Sequence, residues 1–222
     1  MANQYLKKTT LYVEGRDDLY SIADLLKKHA FQMDQSPRDV EIHPAALDDK
    51  GFGRSKLLEL VGPAVKASTD KAIGFIIDAD VSASDTWNAV CDQISKAAGP
   101  KLKVPKKCPS TGFVANIIAL KSRVGVWIMP DNTAKGILED FLKRLVKSDD
   151  KIITVAEFST DAAKKAGATF KDIAKSKAII HAWLAWQADP GCPFGTAIKS
   201  NYFDYEATSA QAFIKWVRQL VD

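Results

Sequence analysis

Cysteine, histidine and methionine are scarce, at three of each in 222 residues. Cys91, Cys108 and Cys192 lie far apart, form no C-x-x-C pair and have no histidine at ligand spacing. That excludes a disulfide framework and a structural zinc site. Long apolar runs are missing as well. The stretch Ala72 to Ile77 is far too short to span a bilayer, and the lysine-bearing start, Met1 to Thr10, is not followed by the apolar run of a signal peptide. A cytoplasmic protein with no membrane partner is expected. No serine or cysteine stands in a nucleophile motif, which leaves covalent acyl transfer without support. There is no Walker A sequence, no internal repeat and no low-complexity tract.

What is present is the composition of a folded domain: 46% hydrophobic and 26% charged residues. That suffices for one full core rather than two equal ones. An α/β core over 1–135 is expected, with a mostly helical C-terminal part over 136–222 packed on the same domain. Net charge is +4, from 31 basic and 27 acidic residues. So small an excess is compatible with a polyanionic partner without requiring one, and the location of the charge matters more than its sum.

The first half alternates strands and helices. Thr10 to Val13 reads as a strand, and Leu19, Ile22, Leu25, Leu26 and His29 recur at helical spacing after the turn at Gly15. A strand over Val40 to His43 follows, then the loop Gly51-Phe-Gly53 and a helix with Ser55 as N-cap. The unbroken apolar run Ala72 to Ile77 suits a central parallel strand covered on both faces. Another helix is marked by Trp87, Val90 and Ile94. Such alternation predicts a mainly parallel sheet flanked by helices, with strand ends and loops along one edge, where α/β proteins place their sites. After an exposed loop over Gly99 to Ser110, Phe113 to Leu120 and Val124 to Met129 are expected to pair across Lys121 to Arg123. Gly136 to Lys147, Ala156 to Ala166, Ala174 to Gln187 and Ala207 to Leu220 read as helices.

Carboxylates stand at two of these strand ends, in Val13-Glu14-Gly15 and in Ile77-Asp78-Ala-Asp80. Residues two apart on a strand share a face, so Asp78 and Asp80 converge if strand geometry persists that far. Asp17 and Asp18 fall in the first turn of the next helix, where negative charge is favoured in any case. Were Glu14, Asp78 and Asp80 to gather within about 5 Å, each pair would repel by roughly 3 kcal/mol at an effective dielectric of 20. A hard divalent cation, Mg²⁺ or Mn²⁺, offsets that repulsion; so does a proton, or an arginine such as Arg16 or Arg54.

Leu11-Tyr-Val-Glu-Gly15 followed by Ile76-Ile-Asp-Ala-Asp80 resembles the TOPRIM signature, a glutamate after the first strand and a D-x-D motif after a later one. The spacing Glu14-x-x-x-Asp18 resembles the variant in nucleases of the OLD (overcoming lysogenisation defect) type. With Trp87, Gly125-Val-Trp-Ile-Met-Pro-Asp-Asn132 and Gly136-Ile-Leu-Glu-Asp140, the chain is similar over nearly its whole length to a family of small stand-alone bacterial TOPRIM proteins of unassigned function. The resemblance implies metal-dependent phosphoryl transfer on DNA or RNA. It implies Asp78 and Asp80 as holders of Mg²⁺ or Mn²⁺, Glu14 as a ligand or general acid/base, and Asp18 at a second metal position. For the later acid and the lysine of OLD-type sites the candidates are Glu139 or Asp140, and Lys177 or Lys199. The chain starts almost at its first strand, so the ATPase domain that precedes TOPRIM in the OLD type is expected to be absent, and any ATP-driven step to come from a separate subunit.

Lys101, Lys103, Lys106 and Lys107, after Lys96, are candidates for phosphate contact, and so is Arg54 at the start of its helix. A solvated loop and a simple glycine turn explain the same residues. Trp183 and Trp186, three apart on a helix, suit core packing better than base stacking. Two rivals to a nuclease remain open from sequence: an inactive TOPRIM scaffold that binds nucleic acid or protein, and an interaction subunit docking through its helical C-terminal part.

Overall fold

The computed structural model describes residues 8–33, 40–45 and 53–222. Gly51 and Phe52 of the expected glycine loop, with Asp49 and Lys50 before them, lie outside the described residues.

Five strands form one sheet: β1 (Thr9–Val13), β2 (Val40–Pro44), β3 (Ala72–Asp78), β4 (Phe113–Ile117) and β5 (Ser122–Met129), in the order β2-β1-β3-β5-β4. β1 runs parallel to β2 and β3, and β3 parallel to β5; β4 alone is antiparallel, closing a hairpin with β5. The fold is therefore α/β with a mostly parallel, Rossmann-like sheet. β3 takes the central position that its unbroken apolar run demands, since every residue from Ala72 to Ile77 is buried.

Strand alternation divides the sheet between two cores. Leu11, Val13, Ala72, Ile76, Trp127 and Met129 face one side, while Ile73, Phe75, Ile77, Val124, Val126 and Ile128 face the other. The first side is covered by α1 (Arg16–Lys28) and by the C-terminal helices α4 (Leu138–Lys143), α5 (Ile152–Lys165), α6 (Lys175–Leu184), α7 (Phe194–Lys199) and α8 (Thr208–Val221). α2 (Arg54–Lys66) and α3 (Ala83–Ala98) cover the second. Asp78 is an even step from Ile76, so its side chain falls on the side of α1 and the C-terminal helices. That placement decides which residues it meets.

α8 lies close against the sheet where Gly74 and Gly125 stand side by side. A Cβ at Gly74 would come within 2.6 Å of Leu11 Cδ2 and 2.7 Å of Leu220 Cδ2. Gly74→Val is expected to cost on the order of 1–3 kcal/mol by overpacking. Gly62, inside α2, has no neighbour beyond its own helix nearer to a would-be Cβ than Gln93 Oε1 at 3.8 Å, but Pro63 follows it and crowds that Cβ, so the helix-propensity gain of Gly62→Ala is offset and its effect should stay below about 1 kcal/mol. Urea unfolding midpoints at unchanged slope measure both; equal shifts of one sign would contradict this packing.

Some boundaries differ from the sequence reading. The helix expected from Gly136 begins only at Leu138, because Gly136, at φ +142, pairs as an isolated antiparallel bridge with Asp80. Ser55 is not the cap of α2; the helix begins at Arg54, with Gly53 at φ +115 in the capping position. The hairpin turn falls earlier than expected, with β4 ending at Ile117, a 3₁₀ turn at Ile118–Leu120, left-handed Lys121 at φ +50, and β5 already begun at Ser122. α7 was not foreseen, being six residues long, preceded by Gly191 and Pro193 and carrying Gly195 within it. Among the described residues, no helix is long and apolar enough to cross a membrane.

Candidate metal centre

Where β1 ends, the chain turns through Glu14 and Gly15 into α1. Asp18, in the first turn of that helix, reaches back so that its Oδ2 accepts the Gly15 N–H at 3.1 Å, and it is buried there. The role is that of a capping carboxylate, but the side chain also faces the end of β3. Asp78, the last residue of β3, donates its backbone N–H to Glu14 Oε1 at 2.9 Å. Asp78 Oδ1 is itself buried with no hydrogen-bond partner.

The C-terminal helices complete the site. Glu139 on α4 is only 4% exposed and pairs with Lys177 Nζ of α6 at 3.1 Å; the same ammonium reaches Asp17 Oδ2 at 3.6 Å. Glu14, Asp18, Asp78, Glu139 and Lys177 together line a cavity of about 430 Å³. It opens at the carboxyl edge of the parallel strands, as the order of elements predicts.

Asp80 sits differently from the strand-based expectation. β3 stops at Asp78, and Asp80 adopts a left-handed backbone, φ +51, with its N–H and C=O both bonded to Gly136 at 2.9 Å. Alternation therefore does not bring Asp78 and Asp80 together. The Asp80 carboxylate turns to Arg54, at 3.5 Å, beside the cavity rather than in its lining. Its charge is still felt by both Glu14 and Asp78.

This crowding of carboxylates raises their proton affinities. Burial, and then the charge of Asp18 followed by those of Glu14, Glu139 and Asp80, holds Asp78 well above the usual carboxylate range. Glu14 is pushed up to about 8, mainly by burial, with Asp18 and Asp80 adding to it against the Asp78 N–H and Arg54. Burial and then Glu139 lift Asp18 to about 7. Lys177 is partly desolvated, yet Glu139 and Asp17 outweigh that and raise its pKa, so it stays an ammonium. Arg16 and Lys177 in the cavity lining and Arg54 beside it are three cations against the six carboxyl groups of Glu14, Asp17, Asp18, Asp78, Glu139 and Asp80, and do not neutralise the set.

A hard divalent cation fits what is here by donor chemistry: oxygen ligands only, and a buried carboxylate oxygen on Asp78 with its bonding capacity unused. Among the described residues no three His, Cys, Asp or Glu side chains stand ready-made in ligating geometry. The carboxylates are near neighbours that a cation would have to draw together.

The remaining candidates divide clearly. Asp140 has both oxygens engaged, Oδ2 by the Ile137 N–H at 2.9 Å and Oδ1 by the Ser176 hydroxyl, so it is Glu139 that faces the cavity. Lys199 pairs with Asp24 at 3.4 Å and lies outside the cavity lining, which Lys177 occupies instead. Arg54 Nε is buried without a partner. Lys101, Lys103, Lys106 and Lys107 are exposed. Only the later part of their loop reaches the cavity's edge of the sheet, with Trp87 Nε1 donating to Pro105 O at 3.1 Å and Asn132 Nδ2 to Ser110 O at 3.2 Å, while Lys101 lies with Asn116 to Ala119 at the β4–β5 turn, the opposite edge. Trp183 is fully buried, as core packing requires, whereas Trp186 is 47% exposed and so departs from the core role expected of it.

No curated protein and no solved structure matches the chain. The profile of one family, described as "Protein of unknown function (DUF3226)", matches residues 8–222. With that match running through every described strand and helix, the chain belongs to the DUF3226 family.

Proposed function

We propose that this protein is a Mg²⁺- or Mn²⁺-dependent phosphodiesterase of the TOPRIM type that hydrolyses nucleic acid in the cytoplasm, with any ATP-driven step supplied by a separate subunit. The observation that carries the reading is the unpartnered Asp78 oxygen among buried carboxylates, in a cavity at the carboxyl edge of a parallel sheet. Asp78, Glu14 and Asp80 are the residues to hold a first cation, and Asp18 with Glu139 a second. A divalent cation bound there supplies Lewis-acid polarisation of a phosphate oxygen and acidification of water.

The chain's own groups do the rest. Glu14, whose Oε1 accepts the Asp78 N–H, has its second carboxylate oxygen left either to complete the cation's ligands or, in the other role open to it, to accept a proton from the attacking water. Lys177 holds a positive charge at the cavity and is placed to donate to a non-bridging phosphate oxygen. Arg54, paired with Asp80 beside the cavity, is placed to hold a phosphate there, and Lys106 and Lys107, next to the anchored Pro105, to track the backbone further out.

The rival reading is a scaffold that binds nucleic acid or protein without turnover. It is favoured by the absence, among the described residues, of a ready-made ligand group, and by the engagement of Glu14 and Asp80 in protein contacts. Purified protein incubated with single- and double-stranded DNA and RNA separates the two. The phosphodiesterase reading predicts cleavage in Mn²⁺ or Mg²⁺, none in EDTA, and at least about a hundredfold loss in Glu14→Gln. Cleavage retained in Glu14→Gln assigns the activity to a contaminant, and none with any substrate and either metal favours the scaffold.

A further inference from the structure

A second cavity, of about 400 Å³, lies beside the acidic one. Three stretches of chain line both. Asp78 faces the first and Val81 the second; Ile137, Leu138 and Glu139 face the first while Gly136 and Asp140 face the second; Lys177 faces the first, and Lys175 and Ser176 the second. The ridge between them is the Asp80–Gly136 bridge, two backbone hydrogen bonds of 2.9 Å that hold it rigid.

The second cavity differs in chemistry from the first. Of its two acids, Asp140 is engaged by Ile137 N–H and Ser176, while Asp172, 97% exposed and 3.7 Å from Lys164, is screened by water. Lys135 is exposed and has no partner among the described residues. Val81, 74% exposed, and Ile173, 37% exposed, present apolar surface at the same place. One free cation beside two exposed aliphatic side chains, in a volume at the lower end of the roughly 300–1,000 Å³ of small-ligand sites, suits a phosphate joined to a flat apolar group.

We infer that this cavity takes an unpaired nucleotide adjoining the scissile phosphate, its phosphate on Lys135 and its base against Val81 and Ile173. The inference rests on the phosphodiesterase reading of the acidic cavity. It adds a substrate class, because a base stacked within a duplex is unavailable to such a cavity. The protein is thereby a reader of single strands, flaps or ends, with intact duplex excluded from the second cavity.

The test uses short phosphorothioate single strands and blunt duplexes, of DNA and of RNA, in Mn²⁺, with fluorescence anisotropy as the readout and calorimetric Mn²⁺ binding as control. Wild type should bind single strands at least about tenfold more tightly than duplexes. Val81→Glu and Lys135→Glu should remove that preference with Mn²⁺ binding unchanged. Lys135→Ala should reduce the slope of log K against log salt by about 0.7, one phosphate contact on a single strand. Equal affinity for single strand and duplex, or variants that bind as wild type does, with Mn²⁺ binding intact, overturns the subsite and leaves the acidic centre standing. A wild type that binds neither Mn²⁺ nor any oligonucleotide overturns both.

Discussion

Asp78→Asn should abolish divalent-metal binding and cleavage, and should at the same time make the metal-free protein more stable. The two effects have one cause. Asp78 is the residue on which the other carboxylates bear most heavily, and one of its oxygens is buried without a partner. Asparagine keeps the shape and the backbone N–H that Glu14 accepts, removes the charge, and brings an amide that can donate to a neighbouring carboxylate. The metal-free fold is thereby relieved of burying a carboxyl group whose ionisation burial and the neighbouring carboxylates oppose, so its stability near pH 8 should rise. Each kcal/mol gained should appear as a rise in Tm of roughly 2–4 °C for a domain of this size. Loss of a ligating carboxylate should cost at least about a hundredfold in activity, given that residues merely supporting metal ligands cost 10–100-fold. Thermal unfolding in EDTA and cleavage in Mn²⁺ check the pair. A variant less stable than wild type, or one that still cleaves, contradicts the assignment.

The stability of the metal-free protein should fall as pH rises from about 4 to about 8, opposite to the usual behaviour of paired carboxylates. Glu14 and Asp18 release their protons near 8 and near 7 in the folded chain, but near the ordinary 4.5 and 3.8 when unfolded. Between those limits the folded form holds more protons than the unfolded one, so each step up in pH favours unfolding. The favourable contribution is complete below the unfolded values and is lost once pH passes the folded ones. Asp131 acts in a separate window. Although desolvation opposes it, the N–H groups of Ala134 and Thr133 and the guanidinium of Arg144 bring its pKa to about 2, so its stabilisation is lost only as pH drops below the ordinary 3.8. Saturating Mn²⁺ should invert the upper limb, because binding requires deprotonated carboxylates and its stabilisation grows with pH. Melting temperatures across roughly pH 5 to 9, in EDTA and in Mn²⁺, test this. Parallel profiles in the two buffers would contradict it.

Much of this arrangement was legible in the sequence, and the parts that were not have physical reasons. The run Ala72 to Ile77 ending in Asp78 declared a central parallel strand, because only such a strand is buried on both faces. The strand-end position of Glu14 followed from the same alternation of elements. Asp80 escaped this reasoning because its left-handed backbone depends on hydrogen bonds to Gly136, far along the chain. The choices between Glu139 and Asp140, and between Lys177 and Lys199, were closed to sequence for a related reason. Consecutive helical residues diverge by about 100°, and nothing local fixes the rotation of a six-residue helix such as α4. Its contacts with α6, through Ser176 and Lys177, fix it. The second cavity had no sequence signal, since it exists only where three separate stretches meet.

The central claim is that the buried carboxylates around Asp78 form a cation site, and calorimetric titration of Mn²⁺ tests it most directly. Wild-type protein should bind, releasing protons as Glu14 and Asp18 ionise, and Asp78→Asn, folded by circular dichroism, should give no heat beyond dilution. Absence of binding in wild type with phosphorothioate nucleic acid supplied, or equal binding in the two proteins, would contradict the claim.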